Sequence, residues 1–138
     1  MRRLIEIYKY YSVRAAAEIL AEALCDAIDG DYTLVPLPTI SRHVRERGFD
    51  HIGLICKKMG MPVERALARQ KNTVQVGASM EERHEQAKEA YALGEVDPCK
   101  KYLLVDDVWT TGSSMLAAAR LMREAGIKNL AIAVIARS

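Results

Sequence analysis

The sequence has few of the residues that build disulfide frameworks, zinc ribbons or membrane spans. Its three cysteines, Cys25, Cys56 and Cys99, are odd in number, far apart and form no C-x-x-C pair, a pattern that predicts neither disulfides nor a metal ribbon. The longest apolar runs, such as 131–136, fall far short of the roughly 18 to 20 residues that cross a bilayer. No apolar signal segment follows the basic N-terminus. We therefore expect reduced cysteines, a cytoplasmic location and no membrane association.

Charge of neither sign dominates the sequence. Twenty basic and 18 acidic residues leave a net charge of +2, whereas binding to a nucleic-acid backbone needs a clustered basic face. Charge therefore does not indicate a nucleic-acid partner. The length of 138 residues, half of them hydrophobic and without a low-complexity stretch, predicts one globular domain over 1–138.

Apolar residues recur with helical spacing in three segments, and short apolar runs lie between them. The predicted helices are a first one from an N-cap at Ser12 to a stop at Gly30, a second at 49–59 and a third at 114–125. The predicted strands are 32–35, 91–93, 102–105 and 130–136. This alternation predicts an α/β fold with a mainly parallel sheet and helices on both faces. The stretch 69–86 has no convincing period, and we expect a mobile excursion there.

Two acids and a turn rich in hydroxyl groups follow the predicted strand 102–105. Because burying an unpaired charge is costly, Asp106 and Asp107 are expected to protrude from the strand's end. The turn offers hydroxyls and consecutive backbone N–H groups at the start of a helix, where unsatisfied donors and the helix dipole favour an anion. A ribose 5-phosphate suits this combination, with the acids on its 2′- and 3′-hydroxyls and the turn on its phosphate. The turn consists of Thr110, Thr111, Gly112, Ser113 and Ser114.

Other interpretations of the same residues fit the pattern less well. Helix capping by Ser113 or Ser114 needs one such residue, not five. An acid pair after a strand also opens receiver domains, but near their start, whereas only the 31 residues 108–138 follow Asp107. The missing Gly-Lys-Ser/Thr and the missing glycine triplet exclude a P-loop and a dinucleotide fingerprint. The three histidines have no partners at metal-ligand spacing and are interpreted as ordinary surface residues; they are His43, His51 and His84.

The segment 105–114, Val-Asp-Asp-Val-Trp-Thr-Thr-Gly-Ser-Ser, resembles the signature of the type I phosphoribosyltransferases. That signature is a hydrophobic strand followed by two acids and a Thr/Gly-rich turn, and the match has no gaps. Further stretches resemble the narrower ComF branch, whose members are often described as competence or amidophosphoribosyltransferase-like proteins. These stretches are 4–10, 35–38, 45–49, Arg69 with Gln75, and Arg83 before 90–91.

The sequence also departs from the ComF branch. Many of its members carry an N-terminal four-cysteine zinc ribbon, which nothing before residue 4 could supply, so no zinc is expected. Asp50 and His51 stand where the branch commonly has Asn-Gln, and Gln86 stands at an Asn position. These differences affect substrate recognition more than the fold. The sequence leaves open the roles of Asp50, His51 and Trp109, the last of which could stack on a ligand or cover the strand end.

The resemblance implies a type I phosphoribosyltransferase-like fold and an Mg²⁺-dependent enzyme. It would transfer a phosphoribosyl group to or from a nitrogen base or amine, with pyrophosphate as the leaving group. Its ligands would be phosphoribosyl pyrophosphate or a nucleoside monophosphate. Mg²⁺ would be held mainly through the ligand, with Asp106 or Asp107 as the candidate protein ligands. On the pyrophosphate side the resemblance places Pro36, Leu37, Arg42, Arg45 and Arg47, and in a flap over about 69–86 it places Arg69, Gln75 and Arg83.

The resemblance also allows a different class of function. The alternative is a non-catalytic ComF-like protein that senses a ligand or acts in DNA uptake, so the family permits a nucleic-acid partner that the charge does not indicate. A hydrolase acting on phosphoribosyl compounds is a third interpretation. A homodimer is compatible with the family, and the acceptor base or amine stays open.

Overall fold

The computed structural model of the protein describes residues 15–38, 50–69 and 91–137. In these residues the helices are α1 (Ala15–Ala27), α2 (His51–Lys58) and α3 (Ser113–Glu124). The strands are β1 (Thr33–Pro36), β2 (Leu67–Arg69), β3 (Tyr91–Leu93), β4 (Tyr102–Trp109) and β5 (Leu130–Arg137). None of these helices is long and apolar enough to pass through a bilayer.

A parallel sheet in the order β1-β4-β5 forms the centre of the molecule. β1 joins β4 from Thr33↔Tyr102 to Pro36↔Val105, and β5 follows β4 along its length. The first four residues of β4 are all buried, as expected for a strand covered on both faces. The fold is thus the α/β arrangement with a parallel sheet that the sequence predicts.

Side-chain alternation along β4 divides the core between the two faces of the sheet. Leu103 and Val105 pack with α1 and α2 on one face. Tyr102 and Leu104 pack with α3 and with β2 and β3 on the other. Successive strand residues point to opposite faces, so a continuous apolar run supplies both layers. The prediction of helices on both faces is therefore confirmed.

β2 and β3 form a second, antiparallel sheet, with Leu67 paired to Leu93 and Arg69 to Tyr91. The predicted strand 91–93 is confirmed. The prediction of an excursion over 69–86 is wrong at residue 69, because Arg69 is the last residue of β2 and pairs with Tyr91 of β3. The connecting segment 70–90, with the flap candidates Gln75 and Arg83, lies outside the described residues.

Several predicted boundaries differ from the observed ones. β4 continues to Trp109, where the apolar pattern ends at residue 105, because β5 pairs with the polar half of the strand as well. α3 begins one residue early, and its N-cap is Gly112 without a side-chain hydrogen bond to the helix. The alternative interpretation, in which Ser113 or Ser114 is the N-cap, is therefore wrong. The predicted N-cap Ser12 of the first helix lies outside the described residues.

The three cysteines are free thiols in different surroundings. Cys56 is buried, Cys25 is half-buried and Cys99 is exposed. Burial raises the pKa of the Cys56 thiol to about 12, and the nearby Asp50 carboxylate adds to the rise. Cys56 and Cys25 thus pack in the core as small apolar residues, whereas Cys99 does not.

A buried tyrosine links the start of β4 to two loops. Tyr102 is fully buried, its hydroxyl donates to Glu64 Oε2 at 3.0 Å, and it accepts from the backbone N–H of Asp97 at 2.9 Å. Glu64 also accepts from Lys100, which lowers the pKa of the Glu64 carboxyl. A depressed pKa means that this stabilisation is present at neutral pH and is lost as the pH falls below about 4.5.

Tyr102→Phe is expected to lower the free energy of unfolding by about 1–3 kcal/mol, because the Asp97 N–H loses its acceptor in a partly buried place. The measurement is chemical denaturation at pH 7, followed by circular dichroism. Tyr32→Phe is the matched control. The Tyr32 side chain is half-buried, and its hydroxyl takes no part in the hydrogen bonds that join Tyr102, Glu64, Asp97 and Lys100. Equal stabilities of the two variants would contradict the role assigned to this network.

Candidate functional site

The candidate site lies at the carboxyl edge of the parallel sheet. The end of β4 meets the turn that starts α3, and the residues after β1 lie beside them because Leu37 N–H donates to Val105 O at 2.9 Å. α2 also begins at this edge, because His51 contacts the β4 residue Asp107. Ligands of open α/β sheets bind outside the carboxyl ends of the strands. Of the residues predicted after β1, the structure therefore places Pro36 and Leu37 beside β4.

The two acids of the predicted site lie on β4 itself and point to opposite faces of the sheet. Asp106 is half-buried and lines the cavity at the start of α3. Asp107 is 7% exposed and faces α2. The expectation that both acids protrude from the strand's end is wrong. The expectation assumed that a buried acid would be unpaired, but both carboxylates accept hydrogen bonds. Asp106 Oδ1 accepts from Asp107 N–H at 2.8 Å, and Asp107 Oδ1 accepts from Val108 N–H at 2.7 Å.

His51 contacts Asp107 of the candidate site, and its interpretation as an ordinary surface residue is wrong. It is 4% exposed, and its Nε2 lies 3.0 Å from Asp107 Oδ2. Sequence reasoning missed it because the partner carboxylate is 56 residues away, beyond any local spacing rule. The signal available in the sequence was the change from Asn-Gln to Asp50-His51.

Asp50 fixes the start of α2. Its carboxylate caps the helix by accepting from Gly53 N–H at 3.2 Å, and it accepts from Arg65 Nη1 at 2.8 Å. The Arg65 guanidinium crosses Gly53 so closely that a Cβ there would lie 2.3 Å from Nη2. Asp50 is therefore a structural residue at the entry of the helix that carries His51.

The predicted phosphate turn is built around Gly112. Gly112 has φ +81°, and a Cβ on it would lie 2.4 Å from Cζ2 of Trp109. The indole of Trp109 thus lies on the turn, packs with the α3 side of the core and also lines the cavity at the start of α3. A side chain at 112 is disfavoured by both the backbone conformation and the indole.

Hydroxyl and backbone groups of the turn surround a small cavity. Thr111 Oγ1 and Ser113 Oγ share a hydrogen bond of 3.0 Å, and Ser113 N–H donates to Thr111 Oγ1 at 3.3 Å. The cavity measures about 100 Å³, well above the roughly 10–15 Å³ needed for one water molecule. The first N–H groups of a helix have no partners within it and favour an anion. This space is lined by all five residues of the predicted turn, Thr110 to Ser114, and by Asp106, Val108, Trp109, Met115 and Val134.

Of the five residues predicted on the pyrophosphate side, two lie among the described residues and three do not. Pro36 and Leu37 are buried, and Leu37 donates its N–H to Val105 O, so these residues pack beside β4. Arg69 reaches the same loop: its Nε donates to Pro38 O at 3.2 Å, and its guanidinium lies 5.5 Å from the centre of the Tyr91 ring. Arg69 therefore joins the β2–β3 sheet to the loop after β1. The residues Arg42, Arg45 and Arg47 lie outside the described residues.

Metal ligands are sparse among the described residues. In 15–38, 50–69 and 91–137 no three His, Cys, Asp or Glu side chains gather as a metal cluster. Mg²⁺ in phosphate sites commonly uses one or two carboxylates together with phosphate oxygens of the substrate. Asp106, which lines the cavity, fits that manner of binding.

A model of the phosphoribosyl transferase domain matches residues 40–138 of the chain. The chain belongs to this phosphoribosyltransferase domain family. The match contains α2, the acid pair and the turn, so the family resemblance carried by 105–114 is confirmed.

Two curated relatives are similar to the chain. The orotate phosphoribosyltransferase of Levilactobacillus brevis is 27% identical over 116 residues, which cover 84% of this chain and 48% of that protein. Competence protein F of Haemophilus influenzae is 27% identical over 138 residues, covering 94% of this chain and 58% of that protein. The chain thus spans about half the length of the curated relatives it matches.

Two solved structures share the fold. The allosteric regulatory enzyme of purine biosynthesis superposes with a TM-score of 0.62 at 19% identity, covering 94% of this chain and 30% of that one. A hypoxanthine phosphoribosyltransferase from Staphylococcus aureus gives a TM-score of 0.52 at 14% identity, with coverage of 88% and 61%. These structures establish the type I phosphoribosyltransferase-like fold.

Proposed function

We propose that the protein is a phosphoribosyltransferase that binds phosphoribosyl pyrophosphate with Mg²⁺. The observation that carries the proposal is the cavity shared by Asp106 and the turn at the start of α3. A carboxylate accepts hydrogen bonds from sugar hydroxyls, and the start of a helix binds a phosphate. The family match over 40–138 supports the same ligand class.

Each part of the ligand has a proposed partner. The 5-phosphate would lie on the hydroxyls and N–H groups of 110–114, and the ribose hydroxyls on Asp106 and Asp107. Pyrophosphate would extend toward the loop after β1, near Pro36 and Leu37, and the family resemblance assigns Arg42, Arg45 and Arg47 to the same part of the ligand. The flap candidates Arg69, Gln75 and Arg83 would cover it, and Arg69 already contacts this loop through Pro38 O.

The proposed reaction is a displacement at C1 of the ribose. The bond from C1 to the pyrophosphate oxygen breaks, pyrophosphate leaves with the electron pair, and a nitrogen of the incoming base or amine forms the new bond to C1 and loses a proton. The carboxylates of Asp106 and Asp107 would stabilise positive charge that builds on the sugar ring. Holding both reactants in place lowers the barrier further. Mg²⁺, bound with the ligand and Asp106, would stabilise the leaving pyrophosphate as a Lewis acid.

Titration calorimetry with phosphoribosyl pyrophosphate tests this function. We expect binding that tightens when Mg²⁺ is added, because the metal neutralises pyrophosphate charge. Release of pyrophosphate in the presence of a panel of nucleobases and ammonia then tests turnover and identifies the acceptor. A protein that binds no phosphoribosyl pyrophosphate with or without Mg²⁺ is not a phosphoribosyltransferase.

A second candidate function is supported by the similarity to Competence protein F, which extends over 94% of this chain. In that case the protein would bind its ligand, or single-stranded DNA, without releasing pyrophosphate. Binding to DNA through phosphates would weaken steeply as the salt concentration rises. Product formation with any base, or DNA affinity that does not depend on salt, would rule out this candidate.

A further inference from the structure

We propose that two copies of this chain form a dimer through β5, with the two strands paired antiparallel about Ala133. The interface is independent of the proposed function, because its evidence is the exposure and the backbone directions of β5. Its tests accordingly measure association in the absence of any ligand.

β5 is apolar along almost its whole length and yet is not buried. Residues 130–136 are Leu-Ala-Ile-Ala-Val-Ile-Ala, a continuous apolar run that is typical of a parallel strand covered on both faces. None of the eight residues of β5 is buried, and Ile132 is 39% exposed. In the neighbouring strand β4 the first four residues are all buried. The composition of β5 therefore predicts more cover than the described residues supply.

The two edges of the parallel sheet differ. The outer edge of β1 is covered, because Leu34 donates its N–H to Pro62 O and accepts at its carbonyl from Glu64 N–H. Among the described residues, β5 pairs with β4 alone. Natural edge strands are commonly short or carry charges or proline, which prevents pairing with another chain. β5 has none of these features before Arg137, so its edge is suited to pairing.

The ladder between β4 and β5 determines which residues face the outer edge. Asn129 O accepts from Tyr102 N–H at 2.9 Å, so the carbonyl of Asn129 points toward β4. Because backbone directions alternate along a strand, the odd-numbered residues of 129–137 bond to β4. The even-numbered residues direct their N–H and C=O groups outward, and they are Leu130, Ile132, Val134 and Ala136.

These outward residues are self-complementary in one antiparallel register. With Ala133 opposite the partner's Ala133, Leu130 pairs with the partner's Ala136 and Ile132 with the partner's Val134. Every outward backbone group of 130–136 then has a hydrogen-bond partner. The pair on the two-fold axis is not hydrogen-bonded, and such pairs bring their Cα atoms to about 4.5 Å, which the small alanine side chain allows.

Charge favours a second copy of the chain as the occupant of this edge. In the same register Arg137 lies opposite the partner's Asn129, and the run between them is uncharged, so no like charges lie opposite each other. The run also has no charged residue that would select an acidic or a basic strand of a different protein. Two-fold dimers are the commonest assemblies of identical chains, and a self-complementary edge suits that symmetry.

Exposed apolar side chains are concentrated on the same side of the molecule. Among the described residues four large apolar side chains are exposed, and three of them lie on β5 or on the two helices that contact it. These three are Ile132, Ile19 of α1 and Leu116 of α3. The helices beside β5 thus offer further apolar surface to a partner that extends the sheet.

Sedimentation velocity of the full chain without ligand, over about 1 to 200 µM, tests the association. We expect a monomer–dimer equilibrium. Ile132→Lys places like charges on diagonal neighbours across the axis, and it is expected to raise the dissociation constant of the dimer about 100-fold or more. Val63→Lys is the matched control, because Val63 is 37% exposed and lies at the other edge of the sheet. It should change the dissociation constant less than about twofold.

Disulfide formation tests the register. Two cysteines form a disulfide when their Cα atoms lie within roughly 4.4–6.8 Å, which the axis provides for residue 133. In a Cys99→Ser background, which removes the exposed thiol, Ala133→Cys should give a covalent dimer under mild oxidation. Ala131→Cys should not, because the two copies of residue 131 are offset by four residues along the strands, or roughly 13 Å. Both alanines are half-buried, so the two variants are matched.

Each outcome decides the proposal. A protein that stays monomeric at every concentration overturns it in favour of another cover for β5. A dimer that Ile132→Lys leaves intact, or that forms a disulfide at residue 131 as readily as at residue 133, uses another surface or register and also overturns it. Should Ile132→Lys not fold, as judged by circular dichroism, the two cysteine variants decide alone, because cysteine is only slightly larger than alanine.

Discussion

Replacing Asp106 and Asp107 together by asparagine is expected to lower the affinity for phosphoribosyl pyrophosphate about 100-fold or more. Hydrogen bonds to charged groups contribute about 1.5–3 kcal/mol each, so the loss of two such acceptors corresponds to at least two factors of ten in the dissociation constant. Asparagine has nearly the shape of aspartate, which keeps β4 in the sheet. The measurement is calorimetry of both proteins with and without Mg²⁺.

The matched control for this variant is the pair Asp26→Asn and Asp31→Asn. It makes the same change in net charge at two exposed acids and should leave affinity within about twofold. Inorganic phosphate provides a second comparison, because its proposed partners are the turn residues, and its binding should persist in the Asp106/Asp107 variant. Unchanged affinity of that variant for phosphoribosyl pyrophosphate would remove the acids from the proposed ribose site.

Gly112→Ala is expected to lower the free energy of unfolding by about 2–5 kcal/mol. A residue with a Cβ costs roughly 1–2 kcal/mol in the left-handed region, and Gly112 has φ +81°. The new Cβ would also lie 2.4 Å from Cζ2 and 2.8 Å from Cε2 of Trp109. The indole or the turn must move, and such overpacking typically costs a further 1–3 kcal/mol. Denaturant unfolding, followed by tryptophan fluorescence and circular dichroism, measures the change.

Gly60→Ala is the matched control for the backbone cost. Gly60 has φ +77°, and a Cβ there would meet no atom within 4 Å, so its substitution should cost only the roughly 1–2 kcal/mol of the left-handed conformation. The Trp109→Leu background tests the steric part. There, Gly112→Ala should cost about as much as Gly60→Ala, because the indole is gone. An equal cost of Gly112→Ala with and without the indole would contradict the packing of Trp109 on the turn.

The elements of the fold were predictable to the extent that they depend on local pattern. The second and third helices and four of the strands were expected within a few residues of their observed positions, because apolar spacing reflects burial. The end of β4 was not predictable, since Asp106 to Trp109 continue the strand through pairing with β5. β2 was missed because it has only three residues, of which only Leu67 is buried. So short a strand shows no detectable alternation of apolar and polar residues.

The candidate site was predictable where its residues are adjacent in the sequence. Asp106, Asp107 and the turn 110–114 form one continuous segment, and the strand-turn-helix context gives each residue type a chemical reason. The role of His51 and the contact of Arg69 with Pro38 O could not be predicted, because both depend on segments that meet only when the sheet forms. A cytoplasmic location, a single domain over 1–138 and the absence of zinc stay predictions of the sequence.

The sequence by itself determined the α/β class, the two-sided core and the acid-and-turn segment, because periodicity and local chemistry are properties of neighbouring residues. The tertiary structure alone decided how the acids divide between the two faces of the sheet and which side chain meets Asp107. A buried carboxylate is tolerated when donors surround it, and here one donor comes from the adjacent backbone and another from a helix 56 residues earlier in the chain. Such a partner is set by the packing of α2 on β4, which no local pattern encodes.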